Sequence, residues 1–166
     1  MAEAWLNGPI EGVDAYLMPV AHACRQAQDD VAAATVELTS EQIWTCPGGA
    51  ASVGFHLMHL AGSLDRLFTY ARGEGLSDAQ KAALEAERGA DRPDRDALLA
   101  LVRQAVERCL EQLRATPRAR LLDDRRVGRA GLPSNVVGLL FHAAEHAQRH
   151  VGQIVTTARI VRGQPS

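Results

Sequence analysis

Hydrophobic positions recur along most of this chain at alternating steps of three and four, the repeat that lines up one face of an α-helix. The first stripe is Val13, Leu17, Val20, Cys24, Ala27 and Val31, which predicts a helix ending near Glu37 with Pro19 in its first turns or at a kink. Thr39 followed by Gln42 has the form of a capping box and opens a short turn carrying Ile43 and Trp44, before Cys46-Pro47-Gly48-Gly49 breaks the chain. A second helix is predicted from near Ala50 on the stripe Val53, Leu57, Leu60, Leu64, Leu67 and Ala71, closed by Gly73 and Gly75. Ser77 and Gln80 form another capping-box match, so a short surface helix reaches Arg88 and stops at Gly89. Asp91-Arg92-Pro93 leads into a third long helix on Leu99, Val102, Val106, Cys109 or Leu110, and Leu113, ended by Pro117.

From Arg114 to Arg129 the pattern loses its period, and that segment reads as a long ordered loop. Leu132-Pro133-Ser134-Asn135 then supplies a start for a fourth long helix from about Val136 to Val161. Almost no segment alternates in the manner of a strand. The expected fold is therefore all-α: a four-helix bundle with a short extra helix and a long loop before the last helix, as one domain over residues 1–166.

Composition narrows the function classes. At 166 residues and 46% hydrophobic content, the chain can bury a core without disulfides or metal as staples, so a metal here would serve function. A net charge of −2 offers no basic field and argues against nucleic acid as partner. Gln42 to Leu64 lacks any Asp, Glu, Lys or Arg and is long enough to span a bilayer, but Pro47, four glycines, two histidines, Ser52 and Ser63 make it too polar and too broken. No membrane span is expected. Cys24, Cys46 and Cys109 are widely spaced and odd in number, which fits neither a disulfide framework nor a zinc ribbon, and Met1 to Val20 lacks a basic leader. A reducing cytoplasm is the expected location. Cys24 and Cys109 fall on helical stripes as core, and Cys46 reads as a small residue beside Pro47 or as a nucleophile of lowered pKa.

Five of the six histidines fall in two clusters, His56 and His59 in the second helix and His142, His146 and His150 in the fourth. His22, in the first helix, is expected at the surface. Residues four apart share a helix face, and Leu139, Ala143, Ile154 and Ala158 turn the face of His146 and His150 inward, with His142 one turn earlier. An i,i+4 imidazole pair is a ready grip on a transition metal, and facing helices of a bundle are where such sites are built. A lone histidine would read as a satisfied core residue; a core-facing pair with a second cluster opposite favours metal. No Glu-x-x-His occurs, which removes the di-iron bundle pattern and leaves an imidazole set suited to Zn, Ni, Fe or Cu rather than Mg or Ca. By periodicity alone His56 lies nearer than His59 to the centre of the second stripe. The arginine-rich segment reads either as a solvated connector balanced by Asp123 and Asp124, or as a guide for an anionic substrate through Arg125, Arg126 or Arg129.

Trp44-Thr-Cys-Pro47-Gly48, Ser52-Val53-Gly54, His59-Leu60-Ala61, Glu145-His146 and His150-Val-Gly152-Gln153 together resemble the DinB-like (DNA-damage-inducible protein B, YfiT-like) superfamily. The likeness runs in element order over nearly the whole chain and is sharp in Trp44 to Tyr70 and Phe141 to Ile154. It implies a four-helix bundle binding one divalent metal (Zn, Ni or Fe) through three histidines, which on this chain are His59, His146 and His150. His56, His142 and Gln153 then become candidates for outer contacts or cavity lining. Where many relatives carry a further histidine before the last ligand, this chain has Arg149, expected to form an i,i+4 pair with Glu145. Three protein ligands leave an open coordination position, which favours an enzyme. The resemblance implies a metal-dependent transferase using a low-molecular-weight thiol, with a metal-dependent hydrolase or a non-catalytic metal-binding stress-response protein as alternatives. It further implies a small-molecule substrate and allows a homodimer.

Overall fold

The structure, a computed structural model, describes residues 3–163; residues 1–2 and 164–166, the ends of the expected 1–166 span, lie outside the described residues. Six α-helices account for most of it: α1 (Met18–Thr35), α2 (Ser40–Trp44), α3 (Val53–Arg72), α4 (Asp78–Ala86), α5 (Arg95–Ala115) and α6 (Val136–Arg162). The four long ones form the bundle, with α3 packed on α6 and α5, and α1 closing the other side against the same two helices. Each buries most of the stripe its periodicity marks, although in α3 Leu67 is only half-buried and Phe68 beside it takes the core position. Leu57, Leu60 and Leu64 of α3, Val102, Leu110 and Leu113 of α5, and Leu140 and Ile154 of α6 are fully enclosed, each worth about 2 kcal/mol of transfer free energy.

The local signals set the helix ends. Both capping boxes form, with Thr39 and Ser77 accepting from the backbone amides of Gln42 and Gln80 and each glutamine side chain accepting in return. Ser52 caps α3, Asp94 caps α5 and Asn135 caps α6 by single bonds, each side chain accepting from the backbone amide three residues on. Gly73 closes α3 at φ 86°, a left-handed conformation that suits glycine. Pro19 lies in the first turn of α1, where its missing N–H costs nothing. That helix starts at Met18, later than its stripe suggests, because Val13 and Leu17 reach the core from preceding turns. On α5 the buried position is Leu98 and not Leu99, and both Cys109 and Leu110 face inward.

The segment before α6 differs from the expected loop. Two short strands, β1 (Asp124–Val127) and β2 (Leu132–Asn135), pair antiparallel with Asp124 opposite Asn135 and Val127 opposite Leu132. Neither strand shows a clean apolar alternation, and Pro133 interrupts the second, so the pattern carried no strand signal. The hairpin forms through contacts at a distance: the Arg125 guanidinium donates from Nε to the Ala71 carbonyl at 2.7 Å, and Gly128 and Gly131 supply the positive φ values of its turn. Among the described residues no helix is long and apolar enough to cross a membrane.

Candidate metal centre

The site lies where α3 and α6 pack together. The start of α3 is held by the break before it, since Trp44 lies against Gly54, where an added Cβ would sit 2.8 Å from three ring atoms. The Trp44 indole donates from Nε1 to the Pro93 carbonyl at 3.1 Å, tying the segment before α3 to the start of α5. Ser52, Gly54 and Trp44 thus fix the first turn of α3, and one and two turns later that helix presents His56 and His59.

One donor nitrogen from each of His59, His146 and His150 lies within 4.8 Å of the other two. His59 Nε2 and His146 Nε2 are 3.2 Å apart, and the ring centroids of His150 lie 4.6 Å from those of His59 and His146. All three side chains are half-buried, so the cluster combines an enclosed rear with an approach from solvent. His56 is buried behind it, its Nδ1 3.0 Å from His150 Nδ1, and one of those two nitrogens donates to the other. Phe55 stacks on His59 with ring planes 13° apart.

The donor chemistry fits a metal. Burial, reinforced by the charges of His59, His146, His56 and Arg149, pushes the His150 imidazole down to about 4. Burial likewise lowers His146, with the charges of His59, His142 and Arg149 adding to it, and lowers His56. These rings are neutral at physiological pH, the state in which an imidazole nitrogen can ligate. Their softness suits a borderline transition metal.

Two residues that periodicity did not flag complete the surroundings. Glu87, just past the end of α4, is 7% exposed. Its Oε2 lies 2.7 Å from His59 Nδ1, and its Oε1 accepts from Arg66 Nη1 at 2.6 Å. Burial pushes the Glu87 carboxyl up, but the His59 and Arg66 hydrogen bonds and charges outweigh it and hold the group below its usual value. A signal existed: His59, Gly62 and Arg66 follow steps of three and four and share a face of α3, so an arginine stands on the histidine's own line.

The remaining candidates separate. Gln153 lies exposed in a groove of ≈ 560 Å³ along α6, whose walls include His56, Arg149, Thr156, Thr157 and Pro47. His142 is exposed, its ring centroid 5.7 Å from that of His146 and its Nδ1 3.4 Å from Glu145 Oε2. Arg149 donates to Glu145 at 2.6 Å, the expected i,i+4 pair. His22 is partly covered rather than fully exposed, and donates from Nε2 to the Gly8 carbonyl at 3.0 Å. Arg125, Arg126 and Arg129 are not brought to the histidines. The hairpin is fastened to the Ala71 end of α3 and to the start of α6, about 15 Å or more along the helices from His59 and His146 at 1.5 Å per residue. Arg125 is moreover occupied by the Ala71 and Asp124 carbonyls. Cys24 and Cys109 are buried and Cys46 is exposed, and none of the three belongs to the cluster's donor set.

A helical bundle that gathers three imidazoles from two facing helices belongs to the class of bundles with a candidate metal site between helices. The chain belongs to the DinB superfamily, whose family model matches residues 23–154. The fold is shared with solved structures, among them the following two. A conserved protein from Enterococcus faecalis aligns with a TM-score of 0.74 at 17% identity, over 89% of this chain and 98% of its own. YfiT from Bacillus subtilis, described as a probable metal-dependent hydrolase with an unusual four-helix bundle topology, aligns with a TM-score of 0.70 at 17% identity, over 95% of this chain and 94% of its own. No curated protein is similar enough to this chain to match it.

Proposed function

We propose that this chain holds one divalent transition metal through His59, His146 and His150 and hydrolyses a small molecule that lies along the groove beside α6. The observation that carries this reading is the convergence of three imidazole nitrogens within 4.8 Å of one another, with no carboxylate or thiolate in the donor group. Three ligands leave coordination positions free, which distinguishes catalytic from closed structural sites. A metal held there would supply a Lewis acid and a water of lowered pKa. Similarity in fold to YfiT, itself described as a probable metal-dependent hydrolase, is consistent with this.

The chain's own residues would do the rest. His56 and Phe55 restrict how the ligand rings can turn. Thr156, Gln153 and Arg149 line the groove with hydrogen-bond donors, while Pro47, Ala50, Ala51 and Ile160 give it an apolar side. That lining suits a small substrate with one polar end and one apolar end.

The deciding experiment uses cobalt-substituted protein and a panel of esters, amides and phosphoesters. Turnover that disappears in His146→Ala and leaves the cobalt spectrum unaffected by millimolar physiological thiols supports hydrolysis. A sulfur-to-cobalt charge-transfer band on adding thiol, with transfer of that thiol to an electrophile and no hydrolysis, replaces hydrolysis by the thiol transfer that the sequence resemblance suggests. Stoichiometric metal without turnover of either kind would indicate a metal-binding protein that is not an enzyme.

A further inference from the structure

We propose that Glu87 is a positioning residue: its carboxylate accepts a hydrogen bond from His59 Nδ1–H, fixing the ring in the tautomer whose Nε2 lone pair points at His146 and His150. This rests on the reading of His59 as a metal ligand for its purpose, though the orientation itself concerns the metal-free chain.

The placement of Glu87 is hard to explain otherwise. From Ser77 to Ala90 every residue is exposed or half-exposed except this one, so the connector's single buried residue is a carboxylate. A helix that needed only to be tied down would do so with an apolar side chain, since a buried charge must be compensated. Compensation comes from Arg66, whose side chain is itself only 10% exposed and donates to Oε1 at 2.6 Å. The second oxygen is thereby left for His59, 2.7 Å away. His59 then has a division of labour between its nitrogens: Nδ1 faces Glu87, and Nε2 faces His146 Nε2 at 3.2 Å. Ligating histidines characteristically hold their other nitrogen to a carboxylate in this way, which fixes the tautomer and raises ligand basicity.

Gly62 provides the independent observation. A Cβ at this position would meet Glu87 Oε1 at 2.5 Å and Arg66 Nη1 at 2.6 Å. Glycine disfavours a helix interior, and Gly62 has no left-handed backbone to require it. Its absence of a side chain makes the seat in which the carboxylate and guanidinium meet. Gly62, Arg66 and Glu87 therefore form one clamp behind His59, contributed by α3 and the connector together.

The test reads the His59 tautomer by long-range proton–nitrogen correlation in metal-free protein, alongside zinc affinity by chelator competition, in wild type, Glu87→Ala, Glu87→Gln and Gly62→Ala. The wild type should show His59 protonated on Nδ1. Glu87→Ala should shift the ring toward the Nε2–H form and weaken zinc binding roughly 10- to 100-fold. Glu87→Gln, which keeps an acceptor oxygen, should recover part of both. Gly62→Ala leaves every histidine and Glu87 in the sequence and favours helix, yet should move tautomer and affinity in the same direction as Glu87→Ala; it also serves if Glu87→Ala, with Arg66 left unpaired, fails to fold. An unchanged His59 tautomer in Glu87→Ala or, where that variant does not fold, in Gly62→Ala overturns the positioning role, whatever the metal does. If the tautomer shifts as expected but wild-type protein takes up no zinc, the orientation of His59 by Glu87 is supported and the metal reading is what fails.

Discussion

Gly54→Ala is the sharpest test of how the break before α3 is held. An alanine Cβ would lie 2.8 Å from three atoms of the Trp44 ring, well inside contact distance, so either the indole or the first turn of α3 must move. The indole is not free to move: its Nε1 donates to the Pro93 carbonyl at 3.1 Å, and the Arg92 guanidinium lies 6.0 Å from the ring centroid. Overpacking of this kind costs about 1–3 kcal/mol, and loss of the indole hydrogen bond adds up to about 1 kcal/mol. Against this, alanine in place of glycine gains at most about 1 kcal/mol in helix propensity, and less in a first turn. The expected net is a destabilisation of roughly 2 kcal/mol, a fall in Tm of roughly 4–8 °C for a chain of this size. Chemical unfolding measures it directly, and Trp44 fluorescence in a Trp5→Phe background reports whether the ring has shifted. A double-mutant cycle isolates the contact, because Gly54→Ala should be neutral or stabilising once Trp44 is alanine. If Gly54→Ala unfolds at or above the wild-type midpoint with Trp44 fluorescence unchanged, the close approach does not hold α3 as argued.

Replacing His146 or His150 by alanine should lower metal affinity by orders of magnitude, whereas His22→Ala should leave it within a few-fold; calorimetry with zinc distinguishes them. His56→Ala, which removes the partner of His150 Nδ1 and no member of the three-nitrogen group, should weaken binding by roughly 10- to 100-fold without abolishing it, and complete loss would make His56 a ligand. The metal-free protein should lose stability in mild acid. His150 is lowered from 6.5 to about 4, so its contribution is fully present above pH 6.5 and lost as pH falls toward about 4, with His56 and His146 shifted in the same direction. Urea midpoints of chelator-treated protein at pH 7.5 and 5 should show the fall, and His150→Ala should flatten it. Arg125→Ala should destabilise the chain by about 1–2 kcal/mol through the freed Ala71 carbonyl while leaving metal affinity unchanged. A change in affinity with no change in stability would return Arg125 to the site.

The four long helices, their caps and the inward delivery of His146 and His150 could be read along the chain, because each depends on neighbours within one or two turns. A step of four puts two imidazoles on one face wherever the helix packs, and Ser52, Thr39, Ser77 and Asn135 cap through bonds three residues away. Choosing between His56 and His59 was beyond periodicity, since both lie near one stripe and only the rotation of α3 against α6 decides which nitrogen meets His146. The hairpin was hidden for a related reason: β1 and β2 are ordered by pairing with each other and by the Arg125 bond to Ala71, partners 54 residues apart, with little preference of their own. Glu87 was hidden most completely. In sequence it ends an exposed connector helix and looks like a solvated charge. Its burial exists only because α4 folds back over α3 at Gly62, where a missing side chain makes room for a carboxylate between Arg66 and His59. A chain can state which of its residues prefer to be inside, but which charge a particular histidine meets there depends on how two separate segments close over each other.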